Sequence, residues 1–279
     1  MSNHPVSERC LAVMKDSATP CGLYARQKWL GEDRNPTWQA DFDRTVKALR
    51  HGQGSDGLWD NSPLATIRRL FGLHLTARSS DPDIDRALDA LLAHVQVRTS
   101  SAENIHYAGE DLLGLPFAPC RGLDVTLPAI MFLGSLFGRA SWPSTRALYD
   151  DSLRRLSPSS LATASPCWIH NCFRALVVHP EYASDAVTQR IVAWYAQRQT
   201  DRGDWGLDIP FYQALNAMAH LHSAAASQQC AAAVAALTRR QNPDGSWGRQ
   251  QREWQTFLTL HALFNMGKLA RTLESGRRL

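Results

Sequence analysis

QGSDGLW at residues 53–59 has two further copies in the chain, QTDRGDW at 199–205 and QNPDGSW at 241–247. All three share the spacing Gln-x-x-x-Gly-x-Trp, with the glycine where a tight turn needs a positive φ and the tryptophan as a large apolar anchor. Self-similarity of this kind indicates an architecture built from repeated structural units. The repeated unit is therefore the basis of the fold.

Helical periodicity surrounds each of the three turns. Apolar residues three and four positions apart precede the first turn, as at Phe42, Val46 and Leu49, and follow it, as at Leu64 and Ile67. The second and third turns have the same flanks. The repeated unit is therefore predicted to be helix, turn, helix.

Three weaker copies of this unit complete the pattern, pairing 5–15 with 21–30, 85–97 with 124–137 and 144–156 with 167–178. Because one hairpin cannot bury its own apolar face, six hairpins must stack on their neighbours. We expect an all-α fold: one domain over 1–279, forming an (α/α)6 barrel with alternate helices inside and outside. An open helical solenoid is the alternative.

The composition is that of a protein with a sizeable core. The 279 residues are 44% hydrophobic and 20% charged, with a formal net charge of +4. Lys and Arg are scattered, which argues against a nucleic-acid partner. No signal pattern and no transmembrane segment is recognised, so we expect a cytoplasmic protein, and the six cysteines are expected to be reduced thiols.

The Gln-x-x-x-Gly-x-Trp turn resembles the QW motif of squalene-hopene and oxidosqualene cyclases. The resemblance implies the α/α barrel shared by the β-domains of class II terpene cyclases and the β-subunits of protein prenyltransferases. In that family the motif is structural, which implies that stability is the role of six residues here: Gln53, Trp59, Gln199, Trp205, Gln241 and Trp247. Catalytic residues must be sought elsewhere.

In a barrel of this kind the starts of the inner helices meet at one mouth of a central cavity. Polar and aromatic side chains at these starts are candidates for contact with a substrate, because ligand pockets combine apolar walls with a few polar groups. The substrate-binding candidates are Tyr24, Asp60, Trp168, Asn171, Asp208, Phe211, Tyr212 and Trp254.

Asp124 is the candidate proton donor. Gly122-Leu-Asp124-Val-Thr126 places it where the cyclase pattern Asp-x-Asp-Asp-Thr has its middle acid, although Gly122 and Val125 replace the flanking acids. His170 on the next inner helix resembles the histidine that assists the cyclase acid and is expected to hydrogen-bond Asp124. The alternative is that Asp124 is a helix N-cap.

The same part of the chain supports rival chemistries. Prenyltransferases hold zinc at this end of the barrel, which makes Cys120, Cys167, His170 and Cys172 an alternative set of zinc ligands. A thiol nucleophile at Cys167 or Cys172, activated by His170, is a further option. A non-catalytic barrel that binds an apolar ligand or a protein is the third.

The connection over 97–121 exceeds a usual helix-to-helix loop and is a candidate lid over the mouth, with His106 and Glu110 as further acid or base candidates. Polycyclising members of the family use two barrels, whereas this chain has room for one. The resemblance therefore implies a small isoprenoid or other apolar substrate, in a homo-oligomer or with a partner subunit. The expected reaction is acid-initiated cyclisation or isomerisation without a cofactor.

Overall fold

The regular secondary structure of the protein, in the described residues, is helical. The structure is a computed structural model that describes residues 8–98 and 107–269. Within these residues all regular secondary structure is α-helix or 3-10 helix, which confirms the predicted all-α class. The α-helices are α1 (Glu8–Ala12), α2 (Pro20–Lys28), α3 (Pro36–Arg50), α4 (Pro63–Leu75), α5 (Pro82–Arg98), α6 (Gly122–Leu136), α7 (Pro143–Arg155), α8 (Pro158–Leu161), α9 (Pro166–Leu176), α10 (Ala186–Ala196), α11 (Phe211–Met218), α12 (Ala224–Arg240) and α13 (Arg252–Asn265).

Six of these helices contact one another in a closed order. The sequence of contacts runs α2, α4, α6, α9, α11, α13 and back to α2. Each is the second member of a predicted hairpin. We call these six the inner ring, whose order of contacts closes between α13 and α2.

The outer helices lie in the gaps between inner helices. α3 contacts α2 and α4, α5 contacts α4 and α6, and α7 contacts α6. On the other side of the ring α10 contacts α9 and α12 contacts α11. The helices of the inner ring thus bury most of their surface, and an outer helix buries one face.

Local signals set where several helices begin. The Ser62 hydroxyl accepts a hydrogen bond from the N–H of Ala65, and Pro63 follows it as the first helical residue of α4. Ser165 and Pro166 start α9 in the same way. A hydroxyl at the N-cap satisfies an N–H that has no partner in the helix, and proline loses nothing at a position whose N–H is unpaired.

In the repeated turns the glutamine side chain bridges two backbone segments. The Nε2 amide of Gln53 donates to the carbonyl of Gly57 in its own turn and to that of Asp83 in α5, both at 2.9 Å. Gln199 donates likewise to Gly203, at 3.3 Å, and to Gln229 of α12, at 2.9 Å. The glutamine therefore joins its turn to the outer helix of the next hairpin.

The repeat tryptophans are buried anchors. Trp59, Trp205 and Trp247 are 0%, 2% and 3% exposed. The indole N–H of Trp59 donates to the carbonyl of Arg50, and that of Trp247 to the carbonyl of Leu237. Each indole thus buries its apolar rings and still satisfies its one donor, the structural role that the QW resemblance implies.

The third turn closes the ring. A Cβ atom on Gly245 would meet Arg9 and Cys10 of α1, just as one on Gly57 would meet Arg86 of α5. The turn of the last hairpin therefore packs against the first outer helix, so the two ends of the repeat meet.

Candidate functional site

Asp124 lies in the first turn of α6, but its carboxylate is used in an ion pair. Its Oδ1 is 3.2 Å from Nη2 of Arg155 on the outer helix α7. The surrounding pocket is polar and includes Ser160 and Thr163. The N-cap of α6 is Arg121, so the N-cap alternative for Asp124 is wrong. An ion pair with an outer helix also does not fit a proton donor facing the ring interior.

His170 is fully buried and does not contact Asp124 through a hydrogen bond. Its Nδ1 is 2.8 Å from the Tyr195 hydroxyl on α10. Burial lowers the pKa of His170 to about 3. The predicted Asp124 and His170 pair is therefore wrong, because the two side chains project toward different neighbouring helices.

Asn171 was predicted to contact a substrate, but its side chain instead hydrogen-bonds to backbone groups. Its Oδ1 accepts from the N–H of Ala118 at 2.7 Å, and its Nδ2 donates to the carbonyls of Ala118 and Asp124 at 3.1 Å and 3.0 Å. Both ends of the amide are thereby occupied. The side chain links α9 to α6 and to the connection that precedes α6.

Cys120 and Cys167 form a disulfide. The expectation of reduced thiols is therefore wrong for this pair, and two of the four proposed zinc ligands are bonded to each other. Cys172 is buried, which raises the pKa of its thiol well above the usual value, so it does not fit an activated nucleophile. Among the described residues no three metal-ligating side chains converge. This donor set does not fit zinc.

Two predicted acids lie at the surface. Asp208 is exposed, and so is Asp60, whose carboxylate is 3.9 Å from the guanidinium of Arg69. Solvated carboxylates of this kind are poorly placed to contact an apolar substrate inside the ring.

Three predicted aromatic residues pack against outer elements. The guanidinium of Arg155 lies 3.8 Å from the ring centre of Trp168, and that of Arg240 lies 4.1 Å from that of Phe211. Tyr212 is half-buried beside Phe211, with its pKa raised by burial. These rings stabilise the contacts of α9 with α7 and of α11 with α12.

Trp254 and Tyr24, by contrast, belong to a connected set of aromatic rings on three helices of the inner ring. Trp254 stacks on Phe257 with ring centres 5.4 Å apart and meets Phe71 edge to face at 5.8 Å. Tyr24 meets Phe257 at 5.5 Å and Trp29 at 5.7 Å. We call these five residues the aromatic cluster; they join α2, α4 and α13.

A cavity of about 360 Å³ lies above this cluster, where α2 and α13 begin. We call it the mouth cavity. Its apolar wall includes Phe71, Leu75 and Trp254, and Leu113 and Leu115 of the long connection also line it. The described part of the predicted lid, residues 107–121, thus contacts the mouth.

Glu110 is exposed in that connection and does not face inward. The other candidate there, His106, lies outside the described residues. The lid as predicted over 97–121 is therefore described only in part.

Glu253 is the one acidic side chain that lines the mouth cavity. Its Oε1 accepts hydrogen bonds from the hydroxyls of Thr19, at 2.6 Å, and Ser17. The Cys21 thiol lies 3.7 Å from the same oxygen, and burial followed by the Glu253 charge raises the pKa of Cys21 to about 12. In residues 8–98 and 107–269 no cation forms an ion pair with Glu253.

Below the aromatic cluster lies a group of basic and polar residues that the sequence reasoning missed. Arg174 of α9 is 3% exposed and donates from Nη1 to Oδ1 of Asn216 at 2.8 Å. The amide of Asn216 in turn donates to the carbonyl of Leu258 and to Nδ1 of His261, both at 3.1 Å.

Further basic residues extend this group toward α4. The rings of His220 and His261 are 5.4 Å apart. Burial, and then the charge of Arg78, lower the pKa of His74 to about 4. Burial, and then the charge of Arg174, lower that of His261 to about 4. We call this the interior cluster, and its members are His74, Arg78, Arg174, Asn216, His220 and His261.

The predicted site residues lie only at the starts of the inner helices, so the interior cluster is not among them. Its members lie in the second halves of those helices or just beyond them. One signal was available: His74 and His220 follow the repeat residues Trp59 and Trp205 at the same spacing. Equivalent positions in successive repeats face the same axis, so histidines there were detectable as an interior pair.

None of the helices in the described residues has both the length and the apolar character needed to span a membrane. No model of a known protein family matches the chain, and comparison with curated proteins also gives no match. Among solved structures the chain is similar to a crystal structure of a protein from Actinoplanes, with a TM-score of 0.55 and 15% sequence identity. The similarity covers 93% of this chain and 90% of that one, and at this identity it concerns the fold alone.

Proposed function

We propose that the protein is an enzyme that cyclises or isomerises a small isoprenoid or similar apolar molecule by protonating it, after which the resulting carbocation loses a proton to give the product. Glu253 replaces Asp124 as the proton donor in this proposal. The observation that carries it is a carboxyl group without an ion pair that lines an apolar cavity beside Trp254 and Phe71. No metal or organic cofactor is required by the reaction.

The position of Glu253 suits a general acid. Within the described residues its carboxyl group forms no ion pair, and it lines the cavity in which the substrate would lie. The hydroxyls of Ser17 and Thr19 fix the orientation of the carboxyl group. A positioned acid within reach of the reacting atom is what proton transfer requires.

The aromatic cluster suits the cation that protonation would generate. Phe71 and Trp254 stand nearly perpendicular at the floor of the cavity, with an interplanar angle of 88°. An aromatic face near a cation contributes roughly 0.5–2 kcal/mol. Several rings around one cavity can therefore stabilise a carbocation without forming a bond to it.

The size of the mouth cavity supports a small substrate. Ligand pockets usually measure about 300–1,000 Å³, and a volume of about 360 Å³ is near the lower limit.

The proposal is tested by assaying linear isoprenoids of monoterpene to diterpene length in deuterated water and analysing the products by mass spectrometry. Protonation by the enzyme adds one deuterium to the product. Glu253→Gln should lower the rate at least roughly a hundredfold, the usual contribution of a general acid, whereas Asp124→Asn should leave it near that of the wild type.

Circular dichroism and thermal unfolding of both variants check that they are folded. Full activity in Glu253→Gln, or loss of activity in a folded Asp124→Asn, would overturn the assignment of the acid. Binding of the panel by wild-type protein without any turnover would support the alternative of a non-catalytic apolar-ligand barrel.

A further inference from the structure

Arg174 is a buried guanidinium without a counter-ion. Its one hydrogen bond goes from Nη1 to Asn216, and its Nε is buried with no partner. In the described part of the chain no carboxylate forms an ion pair with it. The edge formed by Nε and Nη2 therefore meets no acceptor in residues 8–98 and 107–269.

The groups around Arg174 offer no negative charge from any element packed against it. They are Phe132 of α6, His170 of α9, Tyr195 of α10, Asn216 and His220 from α11 and its end, and His261 of α13. Burial of an unpaired charge strongly destabilises a folded protein. A water molecule can satisfy the Nε donor but cannot neutralise the guanidinium.

The histidines near Arg174 are not completely enclosed by the protein. His220 and His261 lie deep among protein atoms, yet each keeps accessible surface. The Asn216 amide donates to Nδ1 of His261, so the neutral His261 ring carries its proton on Nε2. That nitrogen is then a hydrogen-bond donor in the same region.

We propose that the interior cluster binds an oxyanion, the carboxylate or phosphate group of the substrate, on the Nε and Nη2 edge of Arg174. This edge matches the two oxygens of such a group, which is why arginine recognises carboxylates and phosphates. His261 supplies a further donor from Nε2. The oxyanion supplies the negative charge that the protein itself does not place there.

The rest of the ligand would be apolar, and this part of the inference rests on the proposed function. The aromatic cluster connects the two sites: Trp254 stacks on Phe257 at 5.4 Å, and Phe257 lies 5.9 Å from His261. A molecule with its anionic end at Arg174 would place its apolar part against the aromatic rings that pack beside His261. The substrate class is therefore an amphiphilic anion, not a neutral hydrocarbon.

Two measurements test the oxyanion site. The first compares the Tm in sodium phosphate and in sodium chloride at equal ionic strength. The second compares the Kd values of three ligands with the same isoprenoid chain: the carboxylic acid, the phosphate ester and the alcohol. The variants are Arg174→Gln and Arg174→Lys, and the matched control is Arg198→Gln, since Arg198 stacks on Trp194 of the outer helix α10.

Wild type and Arg198→Gln should show a saturable rise in Tm with phosphate and bind the acid or the phosphate ester at least tenfold more tightly than the alcohol. Arg174→Gln should lose both effects. Arg174→Lys, which keeps the charge but not the two-donor edge, should keep part of the phosphate response, and it provides the test if the glutamine variant does not fold. The more tightly bound of the two anionic ligands identifies the headgroup.

Equal phosphate responses in wild type and folded Arg174 variants would overturn the oxyanion site. Equal affinity of wild type for the alcohol and for both anionic ligands would also overturn it and would leave the proposed function standing. A phosphate response that depends on Arg174, without binding of any isoprenoid, would support the oxyanion site and overturn the proposed function.

Discussion

The fold requires a glycine at the position of Gly203 for two separate reasons. Its φ of +82° is in the left-handed region, and a Cβ atom there would collide with the backbone of Ala232 in α12. Gly206, three positions later, has a φ of +78° but open space around its Cα. The same substitution at the two glycines therefore separates the cost of the left-handed backbone from the cost of the steric collision.

Gly203→Ala should destabilise the protein more than Gly206→Ala. The left-handed backbone costs both variants roughly 1–2 kcal/mol, and the collision costs Gly203→Ala roughly another 1–3 kcal/mol. Urea unfolding followed by tryptophan fluorescence gives the two free energies. Equal losses would show that the turn does not pack against α12 as described.

At the scale of elements, the connection before α6 is fastened to the start of α9 by two independent links. One is the disulfide between Cys120 and Cys167, and the other is the pair of hydrogen bonds between the Asn171 amide and the backbone of Ala118, one accepted and one donated by the side chain. The same connection lines the mouth cavity at Leu113 and Leu115. The two links therefore hold in place the part of the connection that lines the mouth cavity.

Removing the disulfide with Cys120→Ala should lower stability. The bond closes a loop with a sequence separation of 47, for which chain entropy predicts a contribution of about 4 kcal/mol. Thermal unfolding measures the loss, with Cys230→Ala as the control outside the bond. Before reduction, the denatured wild type should also show two fewer titratable thiols than after reduction.

An unchanged thiol count on reduction would contradict the disulfide directly. If the bond is present but Cys120→Ala has the stability of the wild type, the Asn171 hydrogen bonds alone would account for the position of the connection. The stability of Cys120→Ala thus shows whether the disulfide or the Asn171 hydrogen bonds contribute more to holding the connection in place.

At the scale of the whole molecule, burial of histidines couples stability to pH. Burial lowers the pKa of His170 to about 3 and those of His74 and His261 to about 4, against an unfolded value of about 6.5. Between pH 6.5 and about 4 the unfolded chain therefore binds protons that the folded protein does not. Stability is fully present above pH 6.5 and is lost as the pH falls through this window.

The urea midpoint should consequently fall steeply from pH 6.5 to pH 4 and stay nearly level from pH 7 to pH 8. Each unit by which a pKa is lowered corresponds to about 1.4 kcal/mol. His261→Gln should flatten the profile because one of the contributing groups is gone. A wild-type midpoint that does not change below pH 6.5 would show that these rings are protonated in the folded state.

The sequence alone established the repeat and the helical class. The spacing of glutamine, glycine and tryptophan is a local signal, and so is the apolar periodicity. Each acts over a few residues, because turn geometry and helix capping depend on near neighbours. For this reason the hairpins and the anchoring tryptophans could be predicted.

The tertiary structure alone decided which side chains share the ring interior. Trp254 and Tyr24 are there, but Asp124, His170 and Asn171 each contact a different neighbouring segment, and Arg174 converges with His261 from another helix. A helix position becomes interior only through the rotation of its helix and its axial shift against the others. The packing of all six hairpins sets both quantities together, so no local pattern encodes them.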